Sequence, residues 1–248
     1  MSEGDLWVVA IASLVGALVK SVTGMGYPLI AIPILTLWIG IESAVAVIAL
    51  PNAVANALIC FGVRHEISAT RDLPVLVITS FLGAVAGTFV LVRAPEEPLL
   101  LGLAATVFIF VAQRRRRPEL RLEPKVTARW APLAGALAGI SHGAVGASGP
   151  IVAMWLHGYR LSKDAYVLSL TSIFLLAGLA QLAVLVATGE FDQDRNLASL
   201  VSLAATLCMV PVGTRLRSRI DAAAFEKLIL VLLVFSGIAL LYRALTHS

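Results

Sequence analysis

Charge is scarce in this chain. Only 14% of its 248 residues are Asp, Glu, Lys or Arg, while 59% are hydrophobic. A water-soluble domain needs about a quarter charged residues to cover its surface, so a soluble enzyme or binding module is excluded. Cysteine is nearly missing as well. Cys60 and Cys208 stand within apolar stretches, which argues for packing roles and against a disulfide framework or metal site. No basic leader precedes the first apolar stretch. Glu3 and Asp5 stand there instead, so that stretch does not read as a signal peptide. Low-complexity sequence is confined to Arg114–Arg117. No carboxylate lies in the interior of an apolar stretch, although ion-coupled carriers commonly keep one there.

What is present is a series of ten apolar stretches. The first five are Leu6–Val22, Pro28–Ile39, Ala44–Gly62, Leu73–Val92 and Pro98–Ala112. Trp130–Ser141, Pro150–Leu156, Ala165–Thr188, Leu197–Thr214 and Phe225–Leu245 follow. About 20 apolar residues cross a bilayer as a helix, so six or so stretches qualify. Pro28–Ile39, Trp130–Ser141 and Pro150–Leu156 look too short to cross alone.

Loop charge sets direction, because cytoplasmic loops collect Lys and Arg. Of the nineteen Lys and Arg residues, fifteen fall in, or at the edge of, gaps that share one face. The gap 113–129 is the richest, with Arg114, Arg115, Arg116, Arg117, Arg121, Lys125 and Arg129, and reads as a cytoplasmic linker rather than a nucleic-acid surface. Counting outward puts Arg64, Arg71, Arg160, Lys163, Arg215, Arg217, Arg219 and Lys227 inside. Glu42, Glu96, Glu97, Glu190, Asp192, Asp194 and both termini fall outside. The sixth and seventh stretches must then enter and return on the same side, and so must the first and second from the other side.

The expected fold is therefore all-α and polytopic, with two inverted-topology repeats. Residues 1–112 form the first, with a broken-helix hairpin over 6–39 and spans over 44–62, 73–92 and 98–112. Residues 130–248 form the second, with a hairpin over 130–156 and spans over 165–188, 197–214 and 225–245. Leu14, Gly16, Ala17 and Leu18 recur as Leu133, Gly135, Ala136 and Leu137, and each copy runs into a glycine-rich break followed by a proline. Inverted repeats with interrupted helices are the architecture of secondary transporters.

Those breaks carry the chemistry. Gly24, Gly26, Tyr27 and Pro28 form the first, after Thr23. Gly143, Gly146, Ser148, Gly149 and Pro150 form the second, after His142. A helix beginning inside the bilayer leaves its first N–H groups without partners, and lipid cannot satisfy them. Proline suits the opening of such a helix, and glycine lets backbone approach a ligand. Two helix starts converging from opposite sides make an anion site from amides and dipoles. Lys20, one turn before the first break, is the one cation deep inside an apolar stretch and by default marks function. His142 offers a donor or a proton. Thr23 and Ser148 add hydroxyls. Asn52, with Thr171 and Ser172 on the eighth stretch, is expected along the path, whereas Asn56 and Gln181 read as structural. No cofactor is expected, and the oligomeric state is not encoded in any pattern seen here.

The break at Gly24, Gly26, Pro28 and Pro33, the second at Gly143, Gly146, Gly149 and Pro150, and the turns 40–44 and 159–165 resemble the sulfite exporter TauE/SafE family of membrane transporters. That resemblance implies transport of a small, often sulfur-containing anion such as sulfite or a sulfonate, with export as the direction and the bacterial inner membrane as the location. Two other readings stay open. The same half-helices could line an anion channel. Residues 146–149 also match the serine motif of rhomboid intramembrane proteases, although that chemistry needs a histidine on a later helix, and only His157 and His247 follow Ser148.

Overall fold

In the computed structural model, residues 3–23, 26–116, 123–216 and 222–246 are described. They form ten α-helices and, among the described residues, no strand. The helices are α1 Glu3–Thr23, α2 Tyr27–Ile39, α3 Ile41–Val63, α4 Leu73–Leu91, α5 Glu96–Arg116, α6 Pro124–Val145, α7 Gly149–His157, α8 Lys163–Ala187, α9 Gln193–Leu216 and α10 Ala222–Thr246, with one 3₁₀ turn at Arg64–Ala69. Six of them, α1, α3, α4, α5, α8 and α9, are long and apolar enough to cross a membrane. This is a polytopic all-α membrane protein. Its outer faces carry exposed Trp7, Trp38, Phe61, Phe81, Trp130 and Phe235, the apolar coat that lipid requires.

Two helices are short. At 1.5 Å per residue, the 13-residue α2 rises about 20 Å and the 9-residue α7 about 14 Å, well under the roughly 30 Å hydrocarbon core. Each follows a longer helix after a glycine break. The sixth apolar stretch sits within a longer helix: α6 has 22 residues, because Pro124–Arg129 and His142–Val145 are helical as well. Charge there marks the end of the apolar segment, not the end of the helix.

Polar contacts gather loops at two ends. At one, Arg71 bonds Thr127 at the start of α6, and the Tyr159 hydroxyl donates to Asp72 Oδ2 at 2.9 Å. The start of α6 and the end of α7 therefore lie at the same end. At the other, Arg195 pairs with Glu42 at 2.9 Å and Glu190 at 2.6 Å, and Arg243 pairs with Glu96 at 2.9 Å and bonds the Thr36 carbonyl. The turn after α2, the starts of α3, α5 and α9, and the end of α10 meet there.

Packing follows a pattern. α4 lies on α6 and α1 on α9; α3 touches α9 and α4 touches α8; α2 touches α10 and α5 touches α7; α3 crosses α8 and α5 crosses α10. Exchanging each helix with the one five places on returns these pairs, whereas the contacts of α6 with α8, α5 with α6 and α3 with α5 have no such counterpart among the described residues. Glycine makes the α4–α6 contact close. A Cβ on Gly83 or Gly87 would strike the α6 backbone at Ala136 or Ile140, and one on Gly139 or Gly143 would strike α4 at Ser80 or Ala84. Small residues four apart permit this approach in membranes, where packing rather than the hydrophobic effect holds helices together.

Candidate functional site

Both helix breaks open into one pocket. It is lined by Lys20 of α1, Gly26, Pro28 and Leu29 of the first break, Asn52 of α3, Phe110 of α5, His142 of α6, Gly146–Gly149 of the second break and Phe174 of α8. Its empty space is about 400 Å³, partly open to solvent. Asn52 and Phe174 stand near the middle of α3 and α8, so the pocket lies at mid-depth.

The first break is built by Gly26, whose φ of 109° falls in the left-handed region that glycine tolerates. Gly26 caps α2 with no side-chain acceptor, and Pro28 sits in its opening turn. Gly146, with φ of 71°, ends α6. A Cβ there would run into Ile32 of α2, so the second break is pressed against the returning helix of the first hairpin. Ser148 caps α7 without a side-chain bond to the helix, because its hydroxyl is engaged with His142 Nδ1 at 3.1 Å. Neither helix start is closed by a side chain. Opening residues of both helices line the pocket.

Lys20 is only 3% exposed. Its ammonium donates to Asn52 Oδ1 at 2.9 Å and Asn56 Oδ1 at 2.7 Å, and Asn56 Nδ2 donates to Asn52 Oδ1 at 3.3 Å. A lysine can only donate, so both amides must turn their oxygens toward it. Two of three ammonium protons are thereby held. No carboxylate lines the pocket. A buried cation without a counter-charge is costly, and an anion in the pocket would remove that cost.

His142 is stacked on Phe174, with ring centroids 6.1 Å apart. Its backbone carbonyl, and that of Gly143, accept from Gln181 Nε2 at 2.8 and 3.1 Å. Gln181 thus satisfies the exposed end of α6 inside the bundle. The Ser148–His142 pair is not the protease arrangement. The histidine comes from the preceding helix and not a later one, and nothing else in the pocket supports that reading.

Of the residues singled out from sequence, the pocket brings together Lys20, Gly26, Asn52, His142, Ser148 and Gly149. Four others do not line it. Tyr27 is fully buried and points at α9, where its hydroxyl meets Ser202 Oγ at 2.7 Å and accepts from Thr206 Oγ1 at 3.1 Å. Gly143 is spent on packing against α4. The Thr171 hydroxyl bonds back to the Val167 carbonyl, and Ser172 lies 3.4 Å from Cys60 Sγ. The Thr23 side chain and Gly24 lie outside the described residues. Sequence reasoning missed Phe110, Leu29 and Phe174, which are apolar residues in apolar stretches and carry no signal. Asn56, read as structural, does not line the pocket and accepts from Lys20 beside Asn52, with which its i+4 spacing placed it on one helix face.

A model of the sulfite exporter TauE/SafE family matches residues 8–240. The chain belongs to this family. Its members are membrane transporters and not enzymes, and the match covers every element of the pocket. Neither a curated protein nor a solved structure gives a significant match to the chain.

Proposed function

We propose that the protein is a secondary carrier for a small oxyanion of the sulfite or organosulfonate type, working by alternating access in the bacterial inner membrane. The observation that carries this reading is the convergence of two helix starts and one buried ammonium on a single mid-depth pocket without a carboxylate. Each helix start contributes the equivalent of about half a positive charge, and Lys20 adds a full one. An anion bound there meets the opening turns of both short helices, the third proton of Lys20 and the Asn52 amide. Export is the direction the family name favours.

The exchange pattern of helix contacts supports reading α1–α5 and α6–α10 as two repeats of inverted topology. The basic end with Arg71, Lys125 and Arg129 is then cytoplasmic and the end with Glu42, Glu96 and Glu190 is external. Both termini lie outside. In the conformation described, Arg195 and Arg243 tie the external ends of five helices together, which supports assigning it a closed external side.

The reading is tested with purified protein in proteoliposomes. Sulfite should move down its gradient in a saturable manner, and Lys20→Met should reduce apparent affinity by about ten- to a hundredfold, the worth of one charge-assisted hydrogen bond. Wild-type vesicles no more permeable to sulfite than empty ones would overturn it. Fluxes far above carrier turnover would instead assign a channel.

A further inference from the structure

An apolar void between α4, α6, α7 and α8, lined by Leu76, Ala138, Val152 and Ile173, exposes no polar surface to recognise a ligand. The central pocket is polar. The polar side chains lining it are Lys20, Asn52, His142 and Ser148. The amide oxygens and three of the break carbonyls already accept hydrogen bonds. Asn52 Oδ1 receives both Lys20 and Asn56, and Asn56 Oδ1 receives Lys20. The Gly26 carbonyl accepts from Ile30 N at 3.1 Å, and the Ser148 carbonyl accepts from Ile151 N and Val152 N, each at 3.1 Å. The Ala147 carbonyl accepts from Ser141 Oγ at 2.6 Å. What Lys20 and Asn52 offer a guest is donors: the remaining ammonium proton and the Asn52 amide group turned away from Lys20, joined by those helix-opening N–H groups not already bonded within the first turn. The other polar side chains, His142 and Ser148, are paired with each other.

We propose that the pocket selects by hydrogen-bond polarity within the class of small sulfonates and carboxylates. It accepts an oxyanion head on an uncharged carbon chain and rejects the zwitterion that carries an ammonium beside the same head. The inference rests on the anion-carrier reading and narrows its substrate class. An ammonium placed two carbons from a sulfonate reaches into the same small pocket. It finds no carboxylate and no idle amide oxygen there, and it stands next to Lys20, a like charge. Burying it without acceptors costs several kcal/mol per ion, so the discrimination comes from an unmet donor and repulsion rather than from size. A hydroxyl in the same position differs: it carries no charge, and its oxygen can accept one of the spare donors.

Three probes of nearly equal length separate these effects: ethanesulfonate, 2-hydroxyethanesulfonate and 2-aminoethanesulfonate. Dissociation constants for the detergent-solubilised wild-type chain are measured by titration calorimetry and ligand-induced thermal shift, with inorganic sulfite as the reference anion. Ethanesulfonate and 2-hydroxyethanesulfonate should bind within about fivefold of one another, and 2-aminoethanesulfonate at least tenfold more weakly than either. Equal binding of the amino compound, with sulfite also bound, overturns this inference and leaves the carrier reading standing. Failure of sulfite and all three probes overturns both. Asn52→Asp gives a second arm: a carboxylate beside Lys20 should weaken ethanesulfonate at least tenfold and shrink the penalty on the amino compound. An undiminished penalty in that variant, once ethanesulfonate binding has fallen, counts against the missing carboxylate and the like charge of Lys20 as its cause.

Discussion

Lys20, Asn52 and Asn56 behave as one unit. Removing Asn56 leaves a buried ammonium with one fewer acceptor, whereas removing Lys20 leaves only two amides that still bond each other. Asn56→Leu should therefore destabilise the protein by about 1–3 kcal/mol, and the double variant with Lys20→Met should lose less than the sum. Thermal unfolding in detergent of the two single variants and the double variant reads the coupling; strict additivity would deny the unit. Lys20 was visible in the sequence because a charge inside an apolar stretch is costly, and its bland explanation, snorkelling to an interface, is hard from the apex of a hairpin at mid-membrane. His142 and Ser148 were visible because they interrupt a glycine run. Tyr27 was placed in the site by proximity to the break, but adjacent helix residues point in different directions, and its hydroxyl goes to α9. Phe110 and Phe174 line the pocket from stretches apolar throughout, so periodicity could not pick them out.

At the scale of elements, the α4–α6 pair depends on absent side chains. Gly139→Val puts a branched side chain where Ser80 and Ala84 backbone already lie, and overpacking of this kind costs about 1–3 kcal/mol or more. The expected result is a melting temperature several degrees lower, with anion affinity in the remaining folded protein little changed. An unchanged melting temperature would mean that the contact yields freely. The loop between α8 and α9 makes a pH prediction. A hydrogen bond with the Glu42 carboxyl, and then the Arg195 guanidinium, hold the Glu190 carboxyl below the usual range. A depressed folded pKa gives stability that is full above the ordinary value of about 4.3 and lost as pH falls through the lower folded value. Melting of the wild type between pH 6 and pH 3 should therefore steepen relative to Glu190→Gln; parallel curves would show that the pair adds nothing. Helix existence was legible from apolar runs and loop charge. Helix ends were not, as α5 reaches Arg116 and α6 begins at Pro124, both inside the expected linker over 113–129. Basic residues near a membrane surface continue a helix without penalty, and only the change in hydropathy is written in the sequence.

For the whole molecule, the account rests on two hairpins entering from opposite sides. Loop charge implied that arrangement from the sequence, and the paired ends and the exchangeable helix contacts support it. Reporters fused to the N- and C-termini should both register outside the cytoplasmic membrane, and a cytoplasmic C-terminus would break the proposed orientation. If the end tied by Arg195 and Arg243 is the closed external side, as proposed, Arg195→Gln, which releases Glu42 and Glu190 together, raises the labelling rate of a cysteine introduced at Ser148 by an external thiol reagent. The most direct measurement is a crystal structure with a heavy analogue of the proposed guest. Selenite soaked into crystals should give one anomalous peak within hydrogen-bonding distance of Lys20 Nζ and between the opening turns of α2 and α7. A peak confined to the surface arginines, with that pocket vacant at saturating selenite, would contradict the central claim that two helix starts and one lysine hold the transported anion.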